Sequence, residues 1–220
     1  MQNAGSTQSP IKILKQQLRN HREGMENHHA TRLHRAISWL LVSEAYDEDD
    51  DISFITLWIA FNACYGIEGN NAELSERQSF RCFIEALIKL DTEQRIYHLL
   101  WENYSGFVRS IVNNQFMYAP FWVSHREGDE NWISGFDYSK KQAMSALANQ
   151  NIASLLVIVL DRLYVLRNQL VHGGATYQSR VNREQVKSAR RLLFELMPVV
   201  VATMLANPET NWGDISYPVV

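Results

Sequence analysis

NIASLLVIVLDRLYVLRNQLVHGG, residues 151–174, is the stretch from which the fold is read. Ile152, Leu155, Leu156, Val159, Leu163, Leu166 and Leu170 recur at spacings of three and four, one stripe of an α-helix facing a core. A second row, Val157, Leu160, Tyr164 and Val171, gives this helix more apolar surface than one packing neighbour needs. That row is available to another helix of the same chain or to a second subunit. Asp161 and Arg162 interrupt the apolar run, so it predicts a core helix and not a membrane span.

The same periodicity extends outward over most of the chain, and strand signals are scarce. The expected fold is all-α, a helical bundle. The spacing predicts helices over about Pro10–His21, with Pro in the first turn, and over Asn27–Ala45. SFITLWIAFNACYG (53–66) is apolar almost all round, the pattern of a central helix, with Ser53 as N-cap and Gly66 as stop. Further helices are expected over 75–90, over about 92–112 and on towards Tyr118, and from Ser139 to Gln150. A basic helix then closes the bundle over about 182–205. The stretch PFWVSHREGDENWISGFDYS (120–139) mixes glycine, charge and aromatics without a helical period, and predicts an irregular aromatic-rich excursion. With no internal repeat and no long linker, one domain is expected over residues 10–206. A flexible start (1–9) and a C-terminal tail (207–220) flank it.

The composition of the 220 residues is 46% hydrophobic and 20% charged, which excludes a disordered chain, a collagen-like repeat and a disulfide scaffold. The net charge of −3 gives no global argument for a nucleic-acid binder, but the charge is unevenly distributed. Residues 1–40 hold six Lys and Arg against two Glu, and residues 180–191 hold five against one. Residues 41–70 hold seven acids, DEDDD among them, and no Lys or Arg. A polyanion can meet either basic block despite the negative total, and solvated helix faces explain the same blocks. The polar N-terminus has no apolar core or cleavage site of a targeting signal. Cys64 and Cys82 lie in apolar segments without CxxC spacing, so buried free thiols in a reducing cytoplasm are expected, and no membrane association.

At the end of the 151–172 helix stand Arg167, Asn168 and His172, followed by Gly173 and Gly174. Asn168 and His172, four apart, share a face, so the amide can orient the imidazole. Arg167 and His172 are separated by about 140° and converge only through the long arginine side chain or across an interface. The double glycine can end the helix in a left-handed conformation, leaving His172 in the last turn, where the helix dipole favours an imidazolium. Such a set suits RNA cleavage without a metal. The imidazole moves protons at the 2′-hydroxyl or the leaving 5′-oxygen, and the guanidinium holds the charge of the phosphorane. A structural helix end, with a capping His and a surface Arg, has the same residues.

LRNQLVHGG is similar to the Arg-Asn-x-x-x-His signature of HEPN domains. SFITLWIAFNACYG resembles the central helix of their Apea-like branch, where a WIAFNALYG-like string precedes the motif at a similar distance. The likeness runs in helix order from about residue 27 to 205. It implies an all-α bundle that dimerises so that two motifs meet in one composite cleft. It also implies metal-independent endoribonuclease activity, often in toxin and antiphage systems, with an antitoxin or defence-system partner and no cofactor. Arg167 and His172 would be catalytic and Asn168 supporting. Some members of the family only bind, and the alternative reading is a catalytically silent binding or regulatory module. The 120–139 excursion has no counterpart in the family pattern.

His28, Arg32, Arg35 and Trp39 follow one helix face, and basic and aromatic groups together can grip phosphate and stack a base; an ordinary exposed face has the same pattern. His28, His29 and His34 lack a His-x-x-x-His pair and a neighbouring Cys, so no zinc site is expected, and DEDDD lacks the glycine and terminal Glu of a calcium loop. Trp122, Trp132 and Phe136 either stack on bases or pin the excursion to the bundle. Nucleophile patterns and glycine-rich phosphate loops are absent.

Overall fold

The helix Asp50–Tyr65 (α3) is hydrophobic on nearly every side, and it lies against four others: Asn27–Ala45 (α2), Glu76–Leu90 (α4), Ile152–Val171 (α9) and Arg183–Ala206 (α10). The computed structural model describes residues 8–67 and 76–218. Phe54, Leu57, Trp58, Phe61 and Cys64 of α3 are all buried, and the rings of Trp58, Phe61 and Tyr65 pack on one another and on Phe80 and Phe83 of α4. Pro10–His21 (α1) covers α2 and α10, with the Ser9 hydroxyl accepting from the Ile11 amide as its N-cap. The remaining helices are Arg95–His98 (α5), Ser105–Val112 (α6), Ala119–Glu127 (α7) and Trp132–Ala148 (α8). Among the described residues there are thus ten α-helices and no strand, the only pairing of extended backbone being the bridge Ile67–Ile215. The all-α bundle is the architecture of the molecule. None of the described helices is long and apolar enough to cross a membrane.

Several local expectations are corrected. The single helix over 92–118 is broken: α5 runs into a π-helical turn at Leu99–Asn103, α6 ends at Val112, and a 3-10 turn follows at Gln115–Met117. The 120–139 stretch is helical. Pro120 sits in the first turn of α7, where its missing N–H costs nothing, and Gly128 ends the helix at φ 75°, in the left-handed region. Its aromatics pin it to the bundle, for the guanidinium of the buried Arg162 of α9 lies over the neighbouring rings of Tyr118 and Phe136, at 4.5 and 5.3 Å. Burial lowers the pKa of Arg162 to about 10, which still leaves it charged at neutral pH.

Part of the acidic run is helical, Asp50 and Asp51 opening α3. Asp49, not Ser53, caps α3, its carboxylate accepting from the amides of Asp51 and Ile52. Asp51 is 4% exposed and takes both Nη atoms of Arg183 at 2.7 and 3.0 Å, and Asp50 takes Arg190 at 3.2 Å. The C-terminal basic block therefore spends these two arginines on the chain's own acids, while Arg180 and Arg191 stay exposed. In the C-terminal tail Trp212 and Ile215 are buried, and residues 212–217 lie along α2. Cys82 is exposed, against expectation, whereas burial pushes the Cys64 thiol up to about 12.

Candidate functional site

The stripe read from the sequence of α9 is its buried face, Ile152 through Leu166, and Asn151 caps the start by accepting from the Ser154 amide. The second row divides. Val157 and Leu160 are buried within the chain, Tyr164 is half-buried against Trp58, and only Val171 is largely free, at 47% exposed. The apolar surplus that suggested a subunit contact is thus reduced to the C-terminal end of the helix.

That end carries Arg167, Asn168 and His172. The helix stops because Gly173 takes φ 71°, a conformation that costs a non-glycine residue about 1–2 kcal/mol. A Cβ on Gly174 would stand 3.0 Å from the Gln169 carbonyl oxygen. His172 is therefore the last residue before the chain turns away, its N–H donating to the Asn168 carbonyl at 3.0 Å and its side chain exposed.

The side-chain pairing differs from the expected one. Asn168 does not orient the imidazole: its Oδ1 accepts from Arg167 Nη1 at 2.8 Å. The half-buried guanidinium also lies over the Tyr164 ring at 5.9 Å, and Tyr164 packs on Trp58 at 6.1 Å. Arg167 is thus held by Asn168 and by an aromatic pair spanning α9 and α3. Among the described residues the imidazole of His172 has no hydrogen-bond partner, so within one chain the arginine and the histidine are presented separately.

Three neighbours were not picked out by sequence reading. Gln169 donates to the Phe116 carbonyl at 2.8 Å and accepts from Asn182 Nδ2 at 2.8 Å, tying the motif helix to the turn before α7 and to the start of α10. The loop after the double glycine is anchored on the acidic run, for the Tyr177 hydroxyl donates to Asp49, and the Gln178 amide donates to Asp51 Oδ2 at 2.7 Å. The only available signal was the opposite charge of residues 47–51 and 180–191, which fits pairing as well as it fits an external ligand.

The second candidate set fares differently. Arg32 is fully buried and donates to the carbonyls of Cys64, Gly66 and Gly213 at 2.8–2.9 Å. Arg35 donates to the Ser216 and Tyr217 carbonyls, and His28 Nδ1 lies 2.9 Å from Asp214 Oδ1. These three side chains bind the tail, so they form no phosphate-gripping face; Trp39 alone of the four stays exposed. Gly66 belongs to the same knot through its carbonyl, and a Cβ there would meet the Asn62 carbonyl oxygen at 2.8 Å. Among the described residues no group of three or more His, Cys, Asp or Glu is gathered as metal ligands would be.

An all-α bundle with an arginine–amide pair and a free imidazole at one open helix end is the class that fold and site define. Comparison of the chain with protein-family models, with curated proteins and with solved structures gives no match.

Proposed function

We propose that the chain is a metal-independent endoribonuclease whose site is built from Arg167, Asn168 and His172 of two copies meeting at a dimer interface. One observation carries the reading: a solvent-facing imidazole without an internal partner ends the same helix turn in which a guanidinium is fixed by an amide. An exposed imidazole is free to take the proton of a 2′-hydroxyl as that oxygen attacks phosphorus. The P–O5′ bond then breaks, and the departing oxygen takes a proton from an imidazolium, the second copy's in a composite cleft. The products are a 2′,3′-cyclic phosphate and a 5′-hydroxyl. Arg167 stabilises the charge that develops on the non-bridging oxygens, and Asn168 holds the guanidinium in orientation.

The dimer, the RNA substrate and a toxin or antiphage setting with a cognate partner rest on the sequence resemblance, and the separate presentation of Arg167 and His172 within one chain supports the need for two copies. The same separation favours a second reading, a catalytically silent module that binds a protein or nucleic acid through this end of the bundle. Incubating RNA with the purified protein in EDTA, followed by end-group analysis, separates the two.

A further inference from the structure

Phe116 is 45% exposed, yet its backbone is bound on both sides. Its N–H donates to Asn114 Oδ1 at 3.0 Å, and its carbonyl accepts from Trp122 Nε1 at 2.9 Å and from Gln169 Nε2 at 2.8 Å. Phe121 meets the ring edge-on at 5.3 Å, and Trp122 lies tilted at 6.1 Å. Asn114, Trp122 and Gln169 thus fix the backbone that carries the ring, and Phe121 and Trp122 of α7 flank the ring itself, which gains little from burial because almost half of it faces water. A ring held in this way is preorganised to receive a flat partner, with little ordering left to do on binding.

Its position follows from the helix. Gln169 and His172 are three apart, about 60° around α9, whereas Gln169 and Arg167 are about 160° apart. The hydrogen bond from Gln169 therefore brings the Phe116 turn to the imidazole side of the motif. Beside the ring stand the amides of Asn114 and Gln169, both bound to the Phe116 backbone. Amides at the edge of an aromatic face suit a nucleobase, which offers a π-face for stacking and donors and acceptors along its rim.

Resting on the ribonuclease reading above, we infer that Phe116, backed by Phe121 and Trp122, is a stacking platform for one unpaired base of single-stranded RNA, in the nucleotide next to the scissile phosphate on the His172 side. A base inside a duplex has both faces covered and cannot lie on the ring, so the platform selects single strands and loops.

The test uses the full chain with His172→Ala, to hold RNA without cutting it, and a labelled single-stranded oligoribonucleotide beside the same sequence as a duplex. Phe116→Ala should weaken binding of the single strand about tenfold. Phe116→Leu, which keeps an apolar side chain against Phe121, should do nearly the same, and Phe116→Trp should restore binding. Duplex binding should be weak and indifferent to all three, and the thermal midpoints should agree. Equal affinity of the single strand for the Phe116→Ala and parent proteins overturns the platform. So does a loss of dimerisation in Phe116→Ala with RNA affinity unchanged, which would make the ring a subunit contact. If wild-type protein cleaves RNA while Phe116→Ala has the same KM, the platform fails and the ribonuclease reading stands; if wild-type protein neither binds nor cleaves RNA, both fall.

Discussion

Arg167 and His172 differ in what holds them, yet their variants should differ little from the parent in stability. Neither side chain belongs to the core, so Arg167→Ala and His172→Ala should each abolish cleavage, by a hundredfold or more on the order of general acid–base and charge-stabilising effects, with the thermal midpoint nearly unchanged. Asn168→Ala should cost less, because it frees the guanidinium without removing it. Unfolding of either alanine variant, seen by circular dichroism, would point to a structural helix end. His29 behaves in the opposite way. It is buried against Trp212, and burial holds its pKa below the ordinary 6.5, reinforced by Arg32 and opposed by Met204 and Glu26. The unfolded chain then binds the proton more readily than the folded one, so stability is fully present above about pH 6.5 and declines as the pH falls below it. Urea unfolding at pH 7.5 and about pH 5 should show that loss, and His29→Phe should reduce it; an unchanged slope with pH in the variant would assign the effect to other groups.

Among the elements, the ones whose apolar stripe and caps agree were legible, and those whose shape depends on distant partners were not. Ser9 and Pro10 start α1, and Gly173 stops α9, each by local backbone chemistry that can be read in sequence. Between Ile96 and Val112 the apolar spacing continues across the π-helical turn, so nothing in the periodicity revealed the break. Arg32 and Arg35 looked like a surface face because the tail that covers them lies some 180 residues away in the chain. That α9 ends at His172 was legible from the double glycine, but the hydrogen bond from Arg167 to Asn168 depends on rotamers that spacing does not fix. The clamp between α3 and α10 yields its own prediction. Asp51→Ala leaves Arg183 without its carboxylate and removes the acceptor of the Gln178 amide, and Arg183→Ala leaves a buried carboxylate unpaired. Each should lower the unfolding free energy by about 2–3 kcal/mol, somewhat below the cost of breaking a fully buried pair because Arg183 is partly exposed. Urea midpoints check this, and a change under about 0.5 kcal/mol would show that the pair adds nothing.

At the scale of the whole molecule, the charge segregation of the sequence closes inward: acids at the start of α3 hold α10 and the loop after the motif, and arginines of α2 hold the tail. What stays outward at the end of α9 is Val171, His172 and the edge of Arg167. A composite site requires two such ends to meet, and sedimentation velocity at micromolar concentration should show a dimer, whereas an active monomer would contradict the two-copy arrangement. The central claim concerns chemistry, and one measurement meets it directly. Wild-type and His172→Ala proteins are incubated with single-stranded RNA in excess EDTA, and the ends of the products are determined. The account predicts 2′,3′-cyclic phosphate and 5′-hydroxyl ends from the wild type and no products from the variant. Cleavage that stops in EDTA and returns with magnesium, 5′-phosphate ends, or equal cleavage by both proteins would contradict it.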